Sequence, residues 1–365
     1  MEHGEDLASA EARHRLIEFA NRLALKNPDL RLLRRNTTDN QYSDVIECLE
    51  HLLLQSDERR KLILPNLSAF SNQSLGVFSD YSGEGAGRYF VYSILICGFN
   101  MHAPFGLRMA QIREDHNLGA KEIAYKDFNM GQLRRALPHF LKAADGLPGF
   151  LCTIAVDKRI STVFGANDKE TPARLVEIIE QAGLGRRKPR TAEKLLRVVH
   201  LTAYLTALLA VNGQKVFWMS DHDEICANPT QHALLLELFG RVLPIYTRPG
   251  CVFGTMGGAL PFAERSIDMN DLLSIPDVVA GTLGDYLSKR DVERPDNICV
   301  KRGAEEVLLW LARDGIGLKK ACFVMRKTAD GMIERGSIEF SPVAHVPGVF
   351  VPIFDKAAGS DLQGA

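Results

Sequence analysis

The chain has 365 residues, 46% hydrophobic and 24% charged, with a formal net charge of −1. That is enough length and apolar content for a large core, and no global basic field advertises nucleic acid, so any such partner must be held by a local patch. The seven cysteines (Cys48, Cys97, Cys152, Cys226, Cys251, Cys299 and Cys322) are scattered and never spaced C-x-x-C, which points to buried thiols in a reducing cytoplasm rather than a disulfide framework or a zinc site.

The chain begins with polar and acidic residues, unlike a secretory signal, and no apolar run is long enough to span a bilayer, so a cytoplasmic protein without a membrane anchor is expected. Residues 7–26 have amphipathic helical spacing, ended by Asn27-Pro28. A second helix is expected over 43–64, with Val45, Ile46, Leu49, Leu52 and Leu53 apolar and Pro65 stopping it. Residues 1–70 therefore read as a helical N-terminal extension, offered to the main domain, a second subunit or a protein partner.

Two β-rich runs follow, 75–83 and 88–98, separated by the glycine-rich Ser82-Gly83-Glu84-Gly85-Ala86-Gly87 and read as a hairpin. The first run ends on Asp80. A carboxylate at the end of a buried strand is costly unless it has a partner, often a metal ion. Beyond the hairpin lie a polar region around 108–117, the segment 121–128 with Glu122, and a helix over 133–144. Residues 149–157 are almost uniformly apolar and read as a central strand.

Thr171-Pro172 opens a helix closed by Gly183; the basic linker Arg186-Arg187-Lys188-Pro189-Arg190 follows; Thr191 is the expected cap of a long apolar helix to Val211. A strand over 215–221 finishes on Asp221-His222-Asp223-Glu224. Asn228-Pro229 starts a helix expected to end at Gly240, and residues 249–256 resemble an edge strand. In the helix expected over 268–290, Asp277, Ala280, Gly281 and Gly284 fall at i, i+3, i+4 and i+7, a small-residue side that allows close approach to a sheet and carries one carboxylate. A further helix (304–313) and two strands (319–327, 332–340) follow, and the tail 356–365 is expected to fray.

In motif order the chain resembles the ribonuclease H-like superfamily. More narrowly it resembles a large bacterial family of that fold with an Asp-x-Ser-Gly first strand, here Asp80-Tyr81-Ser82-Gly83, and a late helix like Ser274-Ile275-Pro276-Asp277-Val278-Val279-Ala280-Gly281-Thr282-Leu283. The resemblance covers residues 75–290. It implies an α/β fold: a ribonuclease H-like mixed β-sheet flanked by helices over 71–292, with the N-terminal helical extension (1–70), a C-terminal helix and strand addition (293–355) and a flexible tail (356–365).

It also implies a divalent-metal-dependent nuclease. Asp80 would bridge two Mg²⁺ or Mn²⁺ ions, Glu122 and Asp221 would hold one and Asp277 the other, with His222 assisting proton transfer and Asp223 competing with Asp221 for its place. The chemistry gives an independent reason. Phosphodiester hydrolysis needs charge neutralised at the phosphate, a deprotonated water and a stabilised leaving oxygen, which two hard dications about 4 Å apart supply. Such ions take oxygen ligands, hence clustered carboxylates. The sequence departs from the family at Tyr81, where a glutamate is common, and at Ala124, where a lysine is.

Each residue also has a plainer reading. Asp80 suits a turn, Glu122 an ion pair with Lys126, Asp277 the first turn of a helix capped by Ser274, and residues 221–224 a solvated loop. Arg186, Arg187, Lys188 and Arg190 form either a solvated linker or the phosphate-tracking patch a nuclease needs. Tyr89, Phe90 and Tyr92 read as sheet residues rather than a base-stacking platform, Trp218 as core, His200 and His232 as packed. The alternative function is a non-catalytic interaction module that binds a protein or nucleic acid.

Overall fold

The computed structural model describes residues 42–85, 87–165, 170–261, 267–290, 300–342 and 350–354, together with Glu11, Ala12 and Arg15, which are helical. The rest of the helix expected over 7–26, and the tail from 356, lie outside the described residues.

The order of elements is α1 (Asp44–Glu58), β1 (Ser74–Ser82), β2 (Tyr89–Gly98), α2 (Ala103–Asp115), α3 (Gly131–Asp145), β3 (Gly149–Asp157), α4 (Thr171–Gln181), α5 (Pro189–Leu209), β4 (Lys215–Ser220), α6 (Pro229–Tyr246), β5 (Met256–Gly258), α7 (Ile267–Arg290), α8 (Ala304–Leu311), β6 (Leu318–Lys327), β7 (Ile333–Pro342) and β8 (Phe350–Phe354). The strands form one mixed sheet in the order β5-β4-β1-β2-β3-β6-β7-β8. β2 runs antiparallel to both β1 and β3, while β4 runs parallel to β1, β5 to β4 and β6 to β3.

Period-2 alternation divides the core. Leu75 and Val77 of β1, with Tyr92, Ile94 and Ile96 of β2, face a cluster completed by α1, α4, α5 and α6. Phe78 of β1, with Val91, Leu95 and Cys97, faces the opposite cluster built with α2, α3, α7 and α8. Helices thus cover both faces, which is why every residue of β3 is buried and its sequence shows no alternation.

The C-terminal strands carry the same sheet past β3: β6 pairs with Gly149 through Val156, and β7 and β8 follow at the edge. The α1 segment joins the first cluster through Val45, Ile46, Leu49, Leu52 and Leu53. Lys61 bridges to Glu339 of β7 at 2.6 Å, so the segments before and after the central strands meet.

Several boundaries differ from the sequence reading. α1 stops at Glu58, because Arg60 turns with φ +57°, and Leu62 and Leu64 reach the core in extended chain. The polar region around 108–117 belongs to α2. Only the narrow face of Phe105, Met109 and Ile112 is apolar, and Arg113 is buried with it, its Nε donating to Asp271 at 3.0 Å. α5 starts at Pro189, not at a Thr191 cap; Thr191 donates instead to Glu224 at 2.9 Å. α6 passes Gly240, where a Cβ would meet Met256 at 3.0 Å on the edge strand β5. That glycine serves the crossing of the strand and does not end the helix.

Candidate active site

Asp80 lies two residues before the end of β1 at Ser82, in register with Ser93 of β2. The parallel register that pairs Ser79 with Ser220 brings Asp221, whose N–H donates to Ser79 O at 2.9 Å, beside it on the neighbouring strand end. The face that carries Phe78 and Asp80 is covered by α7. Its small residues allow the approach: a Cβ on Gly281 would lie 2.5 Å from Cβ of Tyr125, and one on Gly284 would lie 3.2 Å from Ser82 Oγ. Asp277, one turn before Gly281, accepts a hydrogen bond from the Tyr125 N–H at 3.1 Å. Asp277 therefore sits mid-helix, not in a first turn capped by Ser274, whose hydroxyl donates back to Asn270 O at 3.0 Å.

These placements bring Asp80, Glu122, Asp221, His222 and Asp277 onto the wall of one open cavity of about 420 Å³, together with Tyr125, Lys126 and Gly281. Glu122 also makes the i,i+4 ion pair with Lys126, at 3.3 Å, so the partner of its plain reading is present while it lines the cavity. His222 is exposed at the rim. Its Nε2 lies 3.0 Å from Ala227 O; a carbonyl only accepts, so that nitrogen carries the proton and Nδ1 is the ring's acceptor. Among the described residues, no three or more His, Cys, Asp or Glu side chains already converge tightly enough to hold an ion. The carboxylates share a cavity without touching a common point.

Their charges do interact. Burial, and then the charges of Asp277, Asp221, Glu122 and Asp223, push the Asp80 carboxyl well above the usual carboxylate range. Burial is the largest effect on Asp277 too; the Tyr125 N–H opposes it, Glu122 and Asp221 add to it, and the result is a pKa raised to about 7. Asp221 is likewise raised, first by burial.

The folded chain therefore keeps protons that the unfolded chain has released between the ordinary value of 3.8 and about 7. That stabilisation is complete below the lower value and is lost as pH rises through the upper one. His200, whose pKa burial depresses to about 4, acts oppositely, but only up to its unfolded value of about 6.5. In EDTA the melting temperature is expected to fall from about pH 6.5 to about pH 8, and Asp277→Asn to flatten that fall. A melting temperature that rises over the same window in the parent protein contradicts the assignment.

Other sequence-predicted residues lie elsewhere. Asp223 does not line this cavity: Lys194 Nζ is 2.6 Å from its Oδ2, and the Ile225 N–H donates to its Oδ1 at 2.9 Å. Of the basic linker, Lys188 and Arg190 line a separate cavity. Arg187 is half-buried, and Asp223 and Glu224 act on its charge. Arg186 is exposed. Tyr81 points away from Asp80, its hydroxyl 2.6 Å from Ser79 Oγ and 3.1 Å from Ser220 Oγ. Trp218 is core, its Nε1 donating to Ser79 Oγ at 2.9 Å, and His200 Nδ1 meets Tyr246 OH at 2.6 Å.

Two contributors escaped sequence reasoning. Tyr125 acts through its backbone N–H, which leaves no mark in residue type. Lys194, buried and tied to both Glu84 and Asp223, had a signal: a lysine on a helix otherwise apolar on most sides needs a buried partner. Among the described residues no helix is long and apolar enough to cross a membrane. No family model, curated protein or solved structure matches the chain.

Proposed function

We propose that the chain is a ribonuclease H-like, divalent-metal-dependent nuclease that hydrolyses phosphodiester bonds at the acidic cavity. One observation carries the reading: Asp80, Glu122, Asp221 and Asp277, from four separate stretches of the chain, line a single opening at the ends of adjacent strands. A mixed sheet with helices on both faces is also what the ribonuclease H-like resemblance implies.

The donor set fits Mg²⁺ or Mn²⁺. All four acids offer hard oxygen atoms, and Lys126 is the sole lysine or arginine among the residues lining the cavity, which leaves an excess of negative charge for dications to neutralise. When bound, such ions supply charge neutralisation at the phosphate and a water acidic enough to attack at neutral pH.

The chain's own residues would do the rest. Asp80 and Asp221, fixed by strand register, would hold ions from the sheet side; Asp277, oriented by the Tyr125 N–H, would face them from α7, and Glu122 would close the ring from its loop. Lys126, beside Glu122, would meet a substrate phosphate, and His222 Nδ1 would accept a proton at the rim.

The test is a thermal melt and a cleavage assay on the full chain. Adding Mg²⁺ or Mn²⁺ to EDTA-treated protein is expected to raise the melting temperature, since ions that bind only the folded state stabilise it by about 2.7 kcal/mol at a hundredfold excess over Kd. The same ions are expected to be required for cutting a labelled oligonucleotide. A protein that shows neither effect is an interaction module, and the nuclease reading falls.

A further inference from the structure

The turn after β1 and the loop after β4 each have two sides. Ser82, Asp221 and His222 face the acidic cavity, whereas Glu84 and Glu224 line a second one, of about 650 Å³, on the α5 side of the same sheet end. The two cavities open on opposite faces of the sheet at the same strand ends, with these two segments bordering both. The buried charges of the second cavity are internally compensated: Lys194 by Glu84 and Asp223, and Arg197 by Glu193 at 3.0 Å. Its outer charges are not.

Arg190 Cζ and Lys158 Nζ lie 5.0 and 5.2 Å from the centroid of the Phe90 ring. Lys158 also donates to Gly85 O at 2.6 Å. Among the described residues, neither of these cations nor Lys188 pairs with a carboxylate. Two like charges gathered at one aromatic ring are electrostatically incomplete; burial, and then Arg190, pull the Lys158 pKa down. An anion between them relieves the repulsion. The ring that holds them is itself a stacking surface once they move onto that anion.

We propose that this second cavity is the subsite for the single-stranded nucleotide adjoining the scissile phosphodiester, with Arg190, Lys158 and Lys188 on its phosphate and Phe90 against its base. The proposal rests on the nuclease reading and adds a substrate class to it. The volume suits one small ligand, within the range of about 300–1,000 Å³ for such pockets. A paired duplex cannot offer a base face to Phe90 without unstacking it.

The experiment uses full-length Asp80→Asn protein with Mg²⁺ and a fluorescein-labelled oligonucleotide of about ten nucleotides, single-stranded or as a blunt duplex, read by anisotropy. The single strand is expected to bind about tenfold more tightly than the duplex, and Phe90→Leu to weaken it about tenfold, the order of one lost base–aromatic stack. Lys158→Gln with Arg190→Gln is expected to weaken it similarly and to lower the salt slope by about 1.4, or about 0.7 per lost phosphate contact. Arg135→Gln, on the exposed side of α3, is the control for general surface charge.

Melting temperatures identify variants that fail to fold, and Arg190→Gln by itself, at an exposed position, then replaces the double variant. Equal affinity for duplex and single strand, or affinities for Phe90→Leu and the Arg190 variant within about twofold of parent, overturns the subsite. Cleavage by Asp80→Asn at the parent rate, seen as shortened labelled oligonucleotide on a denaturing gel, instead overturns the catalytic reading, whereas an intact oligonucleotide lets anisotropy report the subsite alone.

Discussion

Asp80→Asn is expected to lower cleavage by on the order of a thousandfold, as when a group aimed at transition-state charge is removed, and yet to raise the melting temperature of the metal-free protein. Both effects have one cause. Asp80 is 8% exposed and lies among the charges of Asp277, Asp221, Glu122 and Asp223. An amide of the same shape removes a buried charge and its repulsions, and with them the oxygen ligand that ions need. The melting-temperature gain on adding Mg²⁺ or Mn²⁺ should shrink or vanish in the variant. An ordinary buried aspartate, held by hydrogen bonds, behaves oppositely: its amide destabilises. A loss of stability in EDTA together with undiminished cleavage would remove Asp80 from the site.

Gly281→Ala is expected to destabilise by about 1–3 kcal/mol, and Gly281→Val by more, as overpacking does. The added Cβ meets Cβ of Tyr125 at 2.5 Å, the root of that side chain and not a mobile tip, so the backbone of the 122–128 segment has to shift. That segment carries Glu122 and the N–H that orients Asp277, so the metal-dependent melting shift should weaken along with stability. Gly284→Ala is the comparison. One turn further along α7, the new Cβ would have Ser82 Oγ at 3.2 Å as its nearest neighbour, a side-chain tip that can turn aside, while alanine gains about 1 kcal/mol of helix preference. Denaturant titration of the two variants should separate them, and equal stabilities would mean that α7 is not wedged against the 122–128 segment.

Much of the site was legible because its signals are local. A buried run ending in a carboxylate, at Asp80 and again at Asp221, marks a strand end by residue type, and the spacing of Asp277, Ala280, Gly281 and Gly284 puts one acid on the thin side of a helix. The choice between Asp221 and Asp223 followed the same logic, and the fold adds its reason: Asp223 is claimed by Lys194 from a helix about 30 residues earlier in the chain.

What the residues settled by themselves was where strands and helices form and which carboxylates stand at their ends, because hydrophobic period and turn chemistry act within a few residues. Tertiary structure decided what those periods cannot encode. It paired β6 with β3, so that the C-terminal segment extends the central sheet; it ran α6 past Gly240 to the edge strand; and it set Phe90, Lys158 and Arg190 around one opening. Each depends on contacts between distant segments, where burial and charge compensation outweigh the local preference of any single residue.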